Sequence, residues 1–179
     1  MDLKSSTAIA ESLGHLKYSS FIRDSFMDIN SLLSGYNAQI YQYVGDEVVL
    51  TWTIEEGLTN LSCIRFFFAC EAKFKKRSAH YIGQFGQIPA FKAGLHMGKV
   101  TAVEVGDIKR DIAYHGDTLN TAARIQSVCN QYNKTFLTSL YVVENSEIKK
   151  HYQTEIIGLV NLKGKSQPVA IVSIDGIIA

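Results

Sequence analysis

The stretch "AQIYQYVGDEVVLTWT" (residues 38–53) constrains the fold more than any other part of this chain. β-Branched and aromatic residues crowd both sides of Gly45-Asp46, which predicts two strands joined by a tight turn. The turn also gathers two carboxylates, Asp46 and Glu47, inside an otherwise apolar run. A solvated hairpin tip would account for them, and so would a cation site.

Around this hairpin the pattern alternates. From Ser5 to Leu33 the apolar residues Ile9, Leu13, Leu16, Phe21, Ile22, Phe26, Ile29 and Leu33 recur at helical spacing, with Gly14 dividing two helices. A long helix is predicted over 56–80, burying Leu58, Leu61, Ile64, Phe67, Phe68 and Phe74. It ends in "KFKKR", whose cations complement the dipole of a last turn and read as a solvated helix end. "YIGQFGQIP" (81–89) reads as a loop, and 90–106 as a second hairpin turning near Met97-Gly98. A helix from Gly116 to about Tyr132 turns Leu119, Ala122, Ala123, Ile125 and Val128 inward. A short helix near 139–145 and strands over 153–162 and 169–175 complete the chain. Hairpins dominate the connections, so the expectation is one α+β domain over 1–179 with a mostly antiparallel sheet.

Composition narrows the function. At 179 residues, 46% hydrophobic and 20% charged, the chain is folded and neither disordered nor membrane-spanning. A net charge of +1 argues against a bulk nucleic-acid binder. Cys63 and Cys70, seven apart on one helical face, read as small core residues, and three cysteines without metal-ligand spacing suit a reducing cytoplasm. Met1 is followed at once by Asp2 and Lys4, with no leader in view. A strand at Asp2 has almost nothing before it, so the expectation is a fragment of a longer protein, tethered or regulated through an upstream sensor or membrane segment.

Four stretches carry chemistry. In "MDLKSST", Asp2 ends a strand and Lys4, Ser5, Ser6 and Thr7 lead into a helix whose first amides can hold phosphate oxygens, although Ser and Thr there serve equally as caps. In "YVGDEVVL", Asp46 and Asp2 suit a hard cation if the first strand lies beside the hairpin, because Mg²⁺ takes one or two carboxylates and leaves room for phosphates. Glu47 alternates to the other face, where a structural hydrogen-bonding role is expected. In "RDIAYHGDTLNTAAR" (110–124), Asn120 and Arg124 are four apart on a helix; an amide and a guanidinium suit a ribose oxygen and phosphate charge, though a plain polar face has the same spacing. In "GLVNLKGKSQPVAIV" (158–172), Lys163 and Lys165 flank Gly164 at a turn. His96, His15, His80 and His151 read as structural and Trp52 as core.

In this order and spacing the four stretches, with "GLHMGKVTAVEVG", resemble the catalytic domain of class III nucleotidyl cyclases, the adenylate and guanylate cyclases. That resemblance implies a ferredoxin-like antiparallel sheet flanked by helices, with a truncated first strand. It implies two divalent cations, Mg²⁺ or Mn²⁺, on Asp2, Asp46 and the Leu3 carbonyl. Backbone amides of Lys4, Ser5, Ser6 and Thr7 would cradle the β- and γ-phosphates, with Lys163, ahead of Lys165, on the terminal phosphates. Asn120 would position the ribose and Arg124 stabilise charge at the α-phosphate. The family also implies a homodimer with shared sites, in which the aspartates and the Asn, Arg and Lys come from different subunits.

One pair departs from the family pattern. Adenylate cyclases usually carry Lys three residues before the hairpin Gly with Asp or Thr before the helix-start Gly; guanylate cyclases carry Glu and Cys. Here the base-binding positions hold Gln42 and Ala113. Gln offers a donor and an acceptor together, which suits the adenine edge, so ATP is the preferred substrate. Cyclases of GTP or a pyrimidine triphosphate, and a non-catalytic nucleotide-binding module, are the alternatives. A diguanylate cyclase is disfavoured because it lacks the Asn-x-x-x-Arg helix.

Overall fold

The computed structural model describes residues 1–108 and 110–178. Helices and strands are mixed, and the chain forms two compact units, Met1–Ala93 and a second beginning at Gly94. The strand pairs within each unit are antiparallel.

In the first unit the predicted hairpin forms as β2 (Gln39–Val44) and β3 (Glu47–Thr51), with Gly45-Asp46 as a two-residue loop. Gly45 takes φ 60°, which the first position of such a loop needs and a side chain resists. A two-residue strand, β1 (Asp2–Leu3), lies between β3 and β4 (Phe91–Leu95), so the order is β2-β3-β1-β4.

Helix α1 (Ser6–Asn30) is interrupted at Gly14, as the spacing predicts. The long helix expected over 56–80 is instead α2 (Ile54–Leu58), α3 (Ser62–Lys76) and the start of α4 (Ser78–Phe85). Asn60 and Leu61, at φ 50° and 53°, turn the chain between α2 and α3. Residues 81–85, expected as loop, belong to α4: Gly83 sits inside the helix and Gly86, at φ 73°, caps it. The core here is aromatic, with Phe21, Phe66, Phe74, Tyr81 and Phe91 buried and Phe74 stacked on Phe91 at 5.6 Å. Each such ring contributes roughly 2–3 kcal/mol through burial. Arg77, at the end of the basic run, is not merely solvated. It donates to Asp28 at 2.7 Å while the Tyr81 hydroxyl donates to the other Asp28 oxygen at 2.6 Å, tying α1 to α4. Cys63 and Cys70 are buried as expected, and burial pushes both thiols up to about 12.

In the second unit the hairpin expected over 90–106 does not form. β5 (Thr101–Val105) pairs instead with β6 (Asp111–His115), five residues against five, and residues 96–100 carry no strand. β7 (Phe136–Ser139), β8 (Tyr152–Val160) and β9 (Val169–Ile177) pair in the order β7-β9-β8. The short helix α6 (Leu140–Glu144) falls where predicted, and α7 (Ile148–His151) was not foreseen.

Helix α5 (Asp117–Ser127) buries Ile125 against Leu137, Leu162 and Ile171. Ala123, expected inward, is exposed, and Thr121 is buried instead. A Cβ on Gly94 would stand 2.2 Å from the Ala122 carbonyl, so α5 packs where no side chain fits. His15 and His151 lie exposed rather than in structural positions, whereas His80 pairs with Asp24 at 2.9 Å. Trp52 is half-buried and donates to the Tyr36 carbonyl at 3.0 Å. No helix among the described residues is long and apolar enough to cross a membrane.

Candidate active site

Each unit gathers one group of the predicted residues. In the first, the Leu3 amide donates to the Asp46 carbonyl at 3.3 Å and Asp2 sits opposite Glu47 in register. Strand β1 therefore sets Asp2 beside the loop that carries Asp46. Asp46 Oδ2 is out of solvent and accepts no hydrogen bond among the described residues. Leaving such an oxygen unsatisfied costs about 1–3 kcal/mol or more, so the position calls for a donor or a cation. Lys92, buried on β4, brings its ammonium to 3.2 Å from Asp2. Among the described residues no three His, Cys, Asp or Glu side chains cluster where they could hold a metal ion. Two hard carboxylates with coordination left for phosphate oxygens fit Mg²⁺ or Mn²⁺. Glu47, half-buried, is paired in the ladder with Asp2 on one side and Val44 on the other.

Next to these aspartates the chain enters α1 through Ser5, at φ 60° and ψ 31°. A left-handed residue followed by right-handed helix turns three successive amides into one concavity, a nest for an anion. The amides of Ser5, Ser6 and Thr7 meet no acceptor among the described residues, while that of Lys4 donates to the Ala90 carbonyl at 2.8 Å. Of the four amides at positions 4–7, those of Ser5, Ser6 and Thr7 are thus the ones left to meet an anion. The Tyr18 hydroxyl hydrogen-bonds Ser6; burial first, then the Asp46 carboxylate, push that phenol above its usual range.

In the second unit, α5 carries Asn120, exposed, and Arg124, half-buried. After β8 the chain turns at Gly164, φ 75°, where a Cβ would stand 3.0 Å from Arg124 Nη2. The turn's backbone thus rests on the guanidinium, with Lys163 exposed beside it. Lys165 is turned the other way, pairing with Asp117 Oδ2, to which Thr121 also donates at 3.2 Å. The Lys165 ammonium holds the Asp117 carboxyl below the usual carboxylate range. Nearby, His96 Nδ1 lies 2.7 Å from the Ser139 hydroxyl, and burial, then Lys165, hold its imidazole below the usual range.

Gln42 is exposed on β2, next to a register shift between Ile40 and Gln42 that leaves Tyr41 bulged. Ala113 is half-buried on β6 opposite Val103, in the second unit. Lys92, Tyr18 and Asp117 were not singled out by sequence. A lysine inside the apolar run "AFKAGL" was the one available signal for Lys92.

The family model described as the adenylate and guanylate cyclase catalytic domain matches residues 1–174. Adenylate cyclase 2 of Rhizobium meliloti (strain 1021) is 30% identical over 174 residues, 97% of this chain and 48% of that protein. The chain spans about half or less of the curated relatives it matches, 48% and 34% of the first two. Among solved structures, the adenylyl cyclase CyaB from P. aeruginosa shares the fold with a TM-score of 0.81 at 19% identity, covering 97% of this chain and 89% of that one. The guanylate cyclase domain of RhGC from Catenaria anguillulae, in complex with GTP, does so with a TM-score of 0.77 at 17% identity, covering 99% and 93%.

Proposed function

The chain belongs to the class III adenylate and guanylate cyclase catalytic domains, and from that premise we propose that it converts ATP to the 3′,5′-cyclic monophosphate and pyrophosphate. The observation that carries this reading is the buried, orphaned Oδ2 of Asp46 beside Asp2. Those two carboxylates and the Leu3 carbonyl would hold the divalent cations. When bound there, the cations supply Lewis-acid chemistry, screening the triphosphate and acidifying the ribose 3′-hydroxyl.

The remaining work is positioning and fixed charge. The amides of Ser5, Ser6 and Thr7 receive terminal phosphate oxygens at the start of α1. Asn120 orients the ribose, so that its 3′-oxygen faces the α-phosphorus. Arg124 neutralises charge that builds on the α-phosphate and the departing pyrophosphate, and its planar fork suits that task better than a lysine. Lys163 reaches the terminal phosphates; Lys165, held by Asp117, does not.

Aspartates and phosphate cradle lie in the first unit, and Asn120, Arg124 and Lys163 in the second. We infer a two-fold homodimer in which each copy supplies one group to a site completed by its partner. Val103, Val105 and Ile112 support this, since they leave the β5–β6 hairpin 41%, 42% and 55% exposed at apolar positions that a second copy would cover. Upstream sensor or membrane segments would set when the dimer forms.

ATP is favoured over GTP because Gln42 offers the donor and acceptor that adenine needs. The test is to incubate the chain separately with ATP, GTP, CTP and UTP plus Mn²⁺ at high protein concentration and identify any cyclic product. Cyclic AMP as the main product upholds the reading; no cyclic product from any of the four rejects it.

A further inference from the structure

We propose that Asp117 and Lys165 are positioning residues that hold Arg124 and Lys163 together as one phosphate-facing pair, an inference that rests on the cyclase reading above. Neither residue needs to touch substrate to do this.

The turn after β8 is fastened to α5 at three points. Leu162 is 3% exposed and packs with Ile125 in the core. The Lys165 amide donates to the Leu162 carbonyl at 3.0 Å, closing the turn. At its middle, the Gly164 backbone approaches Arg124 so closely that a Cβ would stand 3.0 Å from Nη2. The third fastening is the Lys165–Asp117 ion pair.

Asp117, Thr121 and Arg124 fall at i, i+4 and i+7, on one face of α5. Thr121 is 1% exposed and donates to the same Asp117 oxygen that Lys165 reaches, so the carboxylate is fixed from the helix side as well. The Lys165 side chain is only 20% exposed against 63% for Asp117. A long flexible side chain is thus drawn in and held, rather than left to sample solvent.

An exposed ion pair adds little to stability. Its geometric effect is larger. Holding Lys165 fixes the turn's exit, which fixes Gly164 against Arg124 and presents Lys163, one residue earlier, outward. Loosening this by about 1 Å would misplace both cations, and a misplacement of that size is worth about a hundredfold in rate.

The experiment uses Lys165→Met, Asp117→Asn, the two combined, and Lys165→Arg. Two readouts are taken: kcat and KM with the best triphosphate, and the heteronuclear NOE of the Arg124 Nε–H group. Each single variant should lose roughly tenfold to a hundredfold in kcat with KM within about twofold of wild type. The combined variant should be no worse than either alone, Lys165→Arg should recover most of the rate, and the Arg124 NOE should fall in the single variants. Unchanged kcat in both single variants, or an unchanged Arg124 NOE, overturns the proposal. If the wild type forms no cyclic product, the cyclase reading fails, and the NOE alone decides whether the pair positions Arg124.

Discussion

Lys92 Nζ stands 3.2 Å from Asp2 Oδ2, on the strand beside it, with Lys92 buried. A fixed ammonium at the carboxylate opposes any further cation through plain Coulomb repulsion. In Lys92→Met that opposition disappears, and free Mn²⁺, titrated without nucleotide, should bind tenfold tighter or more, roughly, since charges a few ångströms apart near a protein surface interact by several kcal/mol. Weaker binding would mean that Lys92 instead orients Asp2.

The orphaned Asp46 oxygen makes the opposite trade. In Asp46→Ala the unsatisfied group is gone, so thermal unfolding in metal-free buffer should shift up by about 2–4 °C for each kcal/mol recovered. Product formation should cease, and Mn²⁺, which should raise the melting temperature of the wild type, should leave that of the variant unchanged. A variant that keeps its turnover would remove Asp46 from the metal site.

Base choice should follow Gln42. Gln42→Lys should raise the ratio of kcat/KM for ATP over GTP, and Gln42→Glu with Ala113→Cys should invert it, each by roughly tenfold or more, as expected for a gained or lost base-edge contact. Competition assays with both triphosphates read the ratio directly. Unchanged ratios would assign discrimination to other residues.

Gly94→Ala tests packing alone. Its Cβ would meet Ala122 O at 2.2 Å and Gln126 N at 2.4 Å, both helix backbone that cannot swing aside. Overpacking of this kind should destabilise by about 3 kcal/mol or more, seen as a lower urea midpoint with an unchanged slope. Wild-type stability in this variant would mean that α5 can slide.

Local chemistry made part of this molecule legible from sequence. Gly45, between two β-rich runs, specified its own hairpin, and the four-residue spacing of Asn120 and Arg124 specified a shared helix face. Features set by distant partners were hidden. Two glycines made 81–89 look like loop, but burial of Tyr81 against Phe21 and Phe74 keeps residues 81–85 helical. Met97-Gly98 looked like a turn because apolar residues flank it, yet β5 finds its ladder with β6 further on. Sequence did not distinguish Lys163 from Lys165 on physical grounds, because the partner that holds Lys165, Asp117, lies 48 residues before it.

The left-handed backbone of Ser5 has an evolutionary consequence. A non-glycine residue there gives up about 1–2 kcal/mol of backbone comfort, whereas glycine would give up about 0.5–1 kcal/mol through the greater freedom of the unfolded chain. The difference, roughly 0.5–1 kcal/mol, favours glycine, so serine at position 5 stands against a modest thermodynamic slope. On the proposed reading, what offsets that slope is what the hydroxyl and the stiffer backbone do where phosphate would enter, so folding alone would choose glycine here.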